Sequence, residues 1–264
     1  MRNITILILT VYLFACGQKN PTDKDVSIFS PDRPENQLEK YIQKPTTTDS
    51  MCIKDIEKAK NDILKGRIVF CYPFGFGTFE LRQEKQLREL CKRNGLIFEY
   101  ELFSDVIIEG QTQGCYGAYM DNVIARKFGT DFKQNLLEQA DSILLATNDT
   151  IVYYKCDKRP QIPGNDDYEP TLEAKVPEKL SKQLIADKEG HLPFMDIGFY
   201  IDKSGNASGY FLNYFMDADN KSNQKYKEEL FKIGVEQLKE IKHWETGKVK
   251  GQKVNTENNV RVYF

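Results

Sequence analysis

The C-terminal segment, residues 196–264, constrains the fold most, because the spacing of its apolar residues changes from a strand period to a helix period and back. Apolar residues alternate with others across 197–201 and again across 210–214, and the polar segment 202–206 between them has the composition of a turn. This pattern predicts a β-hairpin. Apolar residues then recur every three or four positions across 226–241, which predicts an amphipathic helix of about four turns.

A tryptophan and two glycines follow this helix. Trp244 lies just beyond its predicted end, and Gly247 and Gly251 interrupt the segment before alternation returns at 260–264. The last stretch predicts a final strand. The element order is therefore strand, strand, helix, strand, which is an α+β arrangement.

This order resembles the C-terminal domain of TonB-type proteins. The matching stretches are FYIDKSGNASGYF, then Trp244 followed by Gly247, Gly251 and Val254, and finally VRVYF. The upstream stretch RPQIPGNDDYEPTLEAKV resembles the lead-in segment of such domains in Bacteroidetes-like proteins. The resemblance covers roughly residues 153–264 and implies structural roles for the tryptophan and the two glycines.

The resemblance also implies a way of binding. TonB proteins carry energy from an inner-membrane motor to outer-membrane receptors, and their C-terminal domain binds a receptor segment as an added strand. In strand addition, main-chain hydrogen bonds supply affinity and alternate side chains supply selectivity. The terminal strand would then bind the partner, with Tyr263 and Phe264 as principal contacts. The implied partner-binding residues are Asn259, Val260, Arg261, Val262, Tyr263 and Phe264.

The N-terminus has the features of a lipoprotein signal peptide. Arg2 is the only charge in residues 1–15, and an apolar run of twelve residues extends from Ile4 to Ala15. Twelve helical residues rise about 18 Å, which is less than the roughly 30 Å of a bilayer's hydrocarbon core. The run ends in Leu-Phe-Ala before Cys16, which resembles a lipobox. We therefore expect cleavage after residue 15, a lipid anchor at Cys16 and a location in the cell envelope, with the outer membrane favoured.

Residues 16–50 contain four prolines and few apolar side chains, which predicts a flexible tether, although 38–42 has apolar residues able to pack locally. The folded part would then lie in the periplasm or at the cell surface. The formal net charge of −2 does not favour nucleic acid as a partner.

Residues 51–150 predict a separate α/β or α+β domain, followed by the TonB-like domain over 151–264. Helical spacing is seen at 53–64 and 79–93, and one long or two shorter helices are predicted over 116–146, with a break near 128–129. Short apolar runs at 67–72 and 96–103 predict strands, and 106–109 is predicted to extend the sheet.

Two loops of this domain contain residues with potential for chemistry. Gly75 and Gly77 lack both the third glycine of a dinucleotide fingerprint and the lysine of a P-loop, so a turn is the simpler interpretation. Cys115 lies at a predicted helix start, where the pKa of a thiol can fall, but His191 and His243 are both in the other domain. We therefore predict no catalytic residue.

The remaining metal-ligating residues are sparse. The two histidines are distant in sequence and there is no Cys-x-x-Cys pair, so no metal site and no cofactor are predicted. Five cysteines remain after Cys16, of which Cys71 and Cys91 have apolar surroundings typical of buried thiols. Cys52 could pair with Cys115 or with Cys156, and the sequence leaves this choice open.

These observations favour a non-catalytic cell-envelope lipoprotein whose TonB-like domain binds a protein or peptide by strand addition. A first alternative is a component of TonB-dependent transport that acts with an outer-membrane receptor. It requires a partner to supply the transmembrane role, because the predicted lipoprotein signal and short tether differ from the membrane helix and long spacer of a TonB protein. A cysteine-dependent enzyme centred on residues 51–150 is the least favoured alternative.

Overall fold

The computed structural model describes residues 35–75, 77, 80–165, 170–218 and 221–264. The predicted signal peptide, residues 1–15, and the predicted lipidation site, Cys16, lie outside these ranges. Within them the chain is a mixed α+β protein, as the apolar periods predict, and its strands form three sheets. None of the described helices combines the length and the apolar character needed to cross a bilayer.

The first part of the chain is built on two parallel strands with helices on both faces. Its elements are α1 (Glu35–Tyr41), α2 (Ser50–Leu64), β1 (Val69–Phe74), α3 (Glu84–Arg93), β2 (Ile97–Leu102), α4 (Cys115–Phe128) and α5 (Phe132–Thr147). Successive strand residues point to opposite faces. Phe70 accordingly packs with side chains of α3 and α5, while Val69 and Cys71 pack with α2 and α4.

The two long helices are divided where the sequence predicted. α4 ends at Phe128 and α5 begins at Phe132. The prediction that 106–109 extends the sheet is wrong, because these residues lie in the loop between β2 and α4 and β2 ends at Leu102.

The folded part also begins earlier than predicted. Instead of a flexible tether, residues 35–41 form α1, and Ile42 is buried with Cys52, Ile56 and Cys115. The buried side chain of Asp49 caps α2 by accepting a hydrogen bond from the N–H of Cys52 at 3.0 Å. The tether prediction is therefore corrected for residues 35–50, since the few apolar residues of this stretch suffice to dock it on α2 and α4.

The second part of the chain contains the predicted order of strand, strand, helix and strand as β5, β6, α7 and β9. Its elements are β3 (Ile151–Val152), β4 (Thr171–Glu173), α6 (Glu178–Ser181), β5 (Phe194–Ile201), β6 (Ala207–Met216), α7 (Lys227–Lys239), β7 (Lys248–Val249), β8 (Gln252–Lys253) and β9 (Thr256–Tyr263). β5 lies between β6 and β9 and is antiparallel to both.

Helix α7 covers one face of this sheet. Leu230 and Leu238 pack on the strands, and Gly234 lies so close to the sheet that a Cβ would be 2.6 Å from Cδ1 of Ile197. Trp244 is 2% exposed and packs on Phe199 with ring centroids 5.1 Å apart. The tryptophan therefore closes the core between helix and sheet.

The two predicted structural glycines, Gly247 and Gly251, occupy positions that favour glycine. Gly247 faces Thr256, where a Cβ would be 2.6 Å from the threonine methyl group. Gly251 has a φ of +76° in the turn between β7 and β8, a conformation that favours glycine.

The two parts are joined by polar and apolar contacts. Arg82, just before α3, binds Asp141 of α5 through Nε at 3.0 Å and also contacts Asp157 of the second part. Leu144 of α5 packs with Ile151 and with two valines near β7 and β8.

Candidate functional site

Strand β9 contains most of the predicted partner-binding residues, and it is not a free edge. β5 pairs with it along its whole length, from Thr256 to Tyr263. On its other side, β3 pairs in parallel with residues 256–257 and β4 pairs in parallel with residues 261–263. The prediction of an open terminal edge is therefore corrected, because other strands already occupy most of its main-chain hydrogen-bonding groups. The correction concerns Asn259, Val260, Arg261, Val262, Tyr263 and Phe264.

The side chains of these residues have mostly internal roles. Val260 and Val262 are buried under α7, and Phe264 packs against the same core. Arg261 binds the carboxylate of Asp196 on β5, with Nε to Oδ1 at 2.8 Å, and this hydrogen bond raises the pKa of the guanidinium. Tyr263 is exposed, so it alone keeps the surface position that the prediction gave it.

A short gap remains on the covered side of β9. Asn258, Asn259 and Val260 pair with neither β3 nor β4. A cavity of about 140 Å³ lies there and is lined in part by Tyr153 and Trp244. The buried Nε1 of the tryptophan has no hydrogen-bond partner within the described part of the chain. At about 30 Å³ per molecule, this volume corresponds to a few waters, which is small for a strand.

Strand β6 is the outer strand of the same sheet. It is ten residues long, and of the strands that the structure describes it pairs with β5 alone. The pairing runs from Ala207 opposite Ile201 to Met216 opposite Phe194, with two irregularities in register. The outer side of β6 therefore presents main-chain N–H and C=O groups that no described strand uses.

Exposed side chains border this free edge on the sheet face that α7 does not cover. Tyr214 and Met216 are 47% and 40% exposed. Tyr214 stands near Phe194, with ring centroids 6.1 Å apart, and Asn213 donates to Asn259 on β9 at 2.9 Å. The edge and its aromatic border form the candidate binding surface, called here the β6 edge and defined by residues 207–216.

The sequence did not identify the β6 edge as the open one. Its strand period is clear, but local periodicity does not reveal the order of strands in a sheet. The sequence feature that distinguishes the two edges is strand length. The second hairpin strand is long, whereas the stretches that cover β9 have only two and three residues.

The candidate nucleophile Cys115 is not a free thiol. It forms a disulfide with Cys52, which settles the pairing that the sequence left open. Burial raises the pKa of Cys91 and of Cys156 to about 11, so both thiols are protonated at neutral pH. Cys115 is therefore not available as the nucleophile of the enzyme alternative.

The glycine loop after β1 does not open a helix. Gly75 packs on Phe103, and α3 begins only at Glu84. Residues 76, 78 and 79 lie outside the described ranges. Among the described residues of this loop, none belongs to a helix N-terminus that would place amides around a phosphate.

One group of metal-ligating side chains, Asp187, Glu189 and His191, occurs on an exposed loop, with ligand atoms within 4.8 Å of one another. Oδ1 of Asp187 accepts from the N–H of Glu189 at 2.9 Å and from the N–H of His191 at 2.8 Å. Hydrogen bonding and charge from the imidazole and these N–H groups lower the pKa of the aspartate. These hydrogen bonds stabilise the conformation of the loop. The sequence signal for this group is the close D-x-E-x-H spacing of residues 187–191.

Fold and surface together define a two-part α+β protein whose C-terminal sheet has an open edge at β6. No protein-family model matches the chain, and no match was found to a curated protein or to a solved structure.

Proposed function

We propose that the protein is a non-catalytic cell-envelope lipoprotein, anchored through Cys16, that binds a protein or peptide partner by strand addition along the β6 edge. The observation that carries this proposal is the ten-residue strand with only one described neighbour. A partner strand would add main-chain hydrogen bonds worth about 0.5–1.5 kcal/mol each. Its alternate side chains would contact Tyr214 and Met216, which supplies selectivity.

Two further observations support the envelope assignment. The sequence before Cys16 resembles a lipobox, and Cys52 and Cys115 form a disulfide, which is typical of oxidising compartments outside the cytoplasm. The order of β5, β6, α7 and β9 is the one on which the resemblance to TonB-type C-terminal domains rests. The proposed binding edge differs from the terminal strand that this resemblance implied.

The test uses two proline variants of the full-length protein, Tyr214→Pro and Phe215→Pro. The two residues face consecutive partners on β5, so in an antiparallel pair one has its N–H directed to β5 and the other has its N–H directed outward. Proline removes that donor. Because Phe215 also packs against the core, each proline variant is compared with alanine at the same position, which loses the same side chain but keeps the N–H. The inward proline variant should unfold at a lower temperature than its alanine counterpart. The outward one should match the melting temperature of its alanine counterpart and lose partner binding that the alanine variant keeps.

Partner binding is measured by capture from detergent-solubilised envelopes, beside wild type and a Lys232→Ala control on the exposed side of α7. A partner held by wild type and control but lost from the stably folded proline variant supports strand addition. If the captured partner is an outer-membrane receptor, the transport role is favoured. If it is another envelope protein, a scaffolding role is favoured. Equal capture by the outward proline variant and wild type would refute the β6 edge.

A further inference from the structure

The loop between β2 and α4, residues 103–114, exposes a run of aliphatic side chains. Val106, Ile107 and Ile108 are 64%, 89% and 53% exposed, and Leu102 at the end of β2 is also exposed. Leaving a large aliphatic side chain in water rather than burying it is unfavourable. Contiguous exposed apolar groups of this kind mark interaction surfaces. Residues 102–108 are called here the aliphatic tip.

Hydrogen bonds at the base of the loop hold the tip away from the domain. Gln113 accepts from the N–H of Ser104 at 2.7 Å and donates to its carbonyl oxygen at 3.0 Å. Gln111 accepts from the N–H of Met51 at 2.9 Å and donates to the carbonyl of Thr48 at 3.0 Å. The disulfide between α2 and α4 follows immediately. The exposure is therefore built into the loop, because folding the tip back would break these contacts.

The composition of the tip and its loop favours lipid over protein as the surface that it contacts. Its exposed apolar residues are only Val, Ile and Leu, whereas protein interfaces are enriched in aromatic residues and arginine. Acyl chains accept aliphatic side chains without a matching shape. The loop contains Asp105 and Glu109 and no lysine or arginine, so attraction to anionic headgroups contributes nothing.

The position of α1 places the tip near the proposed lipid anchor. Leu38 of α1 lies beside Gly114 at the end of the loop, and it packs in the cluster around Cys115. The chain preceding Glu35 therefore leaves the domain at the end that carries this loop. Residues 17–34 reach at most roughly 65 Å when fully extended, so an anchor at Cys16 keeps this end within reach of the bilayer. Such tethering raises the effective concentration of the tip at the membrane.

We propose that the aliphatic tip inserts into the outer region of the bilayer to which Cys16 anchors the chain. The inference rests on the lipid anchor of the proposed function and is independent of the β6 edge. Insertion of residues 106–108 is shallow, on the order of 5–10 Å, as for other interfacial segments. It fixes the orientation of the domain on the membrane and does not depend on anionic lipid.

The experiment introduces a second tryptophan into the acylated full-length protein, reconstituted in phosphatidylcholine vesicles that contain brominated acyl chains. Ile107→Trp reports on the tip. Leu64→Trp is the matched control, because Leu64 is 84% exposed at the opposite end of α2. The native Trp244 is 2% exposed and gives a constant background. We expect strong quenching and a blue-shifted emission for Ile107→Trp, and an unquenched signal for Leu64→Trp.

A further variant shows whether the native tip or the new tryptophan drives insertion. Ile107→Trp combined with Val106→Ser and Ile108→Ser should lose most of the quenching, because the flanking aliphatic area is removed. Persistent quenching in this variant would overturn the proposal, as would equal quenching at positions 64 and 107 or none at 107. Mass spectrometry of the N-terminal peptide distinguishes a missing lipid anchor from a failure of the tip to insert. A missing acyl group on Cys16 refutes the anchor and with it this inference, whereas an acylated protein without quenching at 107 refutes the insertion alone.

Discussion

Glu101 on β2 accepts a hydrogen bond from the main-chain N–H of Gly117, in the first turn of α4, at 3.0 Å. A Cβ at position 117 would collide with the Glu101 carboxylate, so this close approach requires glycine. Desolvation raises the pKa of Glu101, and the negative charges of Asp55 and Asp121 raise it further. The negative charge of Glu101 is therefore stabilised by the N–H of Gly117 and by the dipole of α4, whereas burial destabilises it.

We expect Glu101→Gln to raise the free energy of unfolding at pH 7 by on the order of 1 kcal/mol, because it removes the cost of burying a charge. The glutamine oxygen can still accept from Gly117. Since the folded-state pKa is raised, the wild-type carboxyl contributes fully to stability below the unfolded pKa of about 4.3, and that contribution is lost as pH rises through the folded pKa. Urea denaturation followed by circular dichroism should therefore show the variant's advantage growing from pH 4 to pH 8.

Glu99→Gln is the matched control for this prediction. Glu99 lies two residues earlier on the same strand and is more exposed, where it pairs with Arg67 on the surface. Its replacement should change stability by less than about 0.5 kcal/mol at every pH. A Glu101→Gln protein that is less stable than wild type at pH 7 would contradict the assigned role of burial.

The disulfide between Cys52 and Cys115 joins α2 to α4 across a sequence separation of 63 residues. By loop-closure entropy, a crosslink of this span stabilises the folded state by up to about 4 kcal/mol. The Cys52→Ala and Cys115→Ala double variant should therefore lose about 2–4 kcal/mol in urea denaturation followed by circular dichroism.

A reducing agent serves as the internal comparison for the disulfide. It should lower the stability of wild type toward that of the double variant and leave the double variant unchanged. The protein has a single tryptophan, Trp244, in the C-terminal core, so its emission reports separately whether loss of the disulfide also affects that core. If the reducing agent leaves the stability of wild type unchanged, the disulfide does not stabilise the folded state.

Elements with long apolar periods were predicted from the sequence. The hairpin, α7 and the final strand each carry several core residues in a regular pattern, and α4 and α5 were separated near Gly129. β3 and β4 have two and three residues, which is too short for a period to appear. Whether β9 is an edge depends on these two strands, and their pairing is set by distant parts of the chain rather than by local pattern.

Dependence on distant parts of the chain also explains the other differences between the predicted and the observed structure. The packing of α1 depends on α2 and α4, because few of its own residues are apolar. The choice between Cys115 and Cys156 as partner of Cys52 required their positions in space. For the candidate site, the resemblance implied strand addition at the terminal strand, whereas the order of strands moves the free edge to β6.

For Gly234 on α7, helix propensity and packing predict opposite effects of alanine on stability. Alanine is favoured over glycine inside a helix by about 1 kcal/mol. At this position its Cβ would be 2.6 Å from Cδ1 of Ile197, which is a fully buried side chain on β5. We expect overpacking to prevail and Gly234→Ala to lose about 1–3 kcal/mol.

Thermal unfolding followed by Trp244 emission measures this loss, with Lys232→Ala as the control on the exposed side of the same helix. The control should remain within about 0.5 kcal/mol of wild type. A Gly234→Ala protein that is more stable than wild type would mean that α7 can move away from β5 without cost.

Ending the chain after Asn258 provides a direct test of the interior position of β9. The deletion removes Val260 and Val262 from the core, each worth roughly 1.5–3 kcal/mol when buried, together with the β4 pairing. It also leaves Asp196 without the guanidinium of Arg261. These losses approach the total stability of a small domain, so the C-terminal core should unfold and Trp244 emission should shift to longer wavelength.

Tyr263→Ala is the matched control, because Tyr263 is exposed and contributes to no buried core cluster. It should cost less than about 1 kcal/mol and leave the emission of Trp244 native. If the truncated chain also keeps native emission, β9 is dispensable for the core, and the prediction of an open terminal strand regains support. If it unfolds while Tyr263→Ala does not, partner binding must be tested at β6, since any loss of binding in the truncated chain would only reflect loss of the sheet.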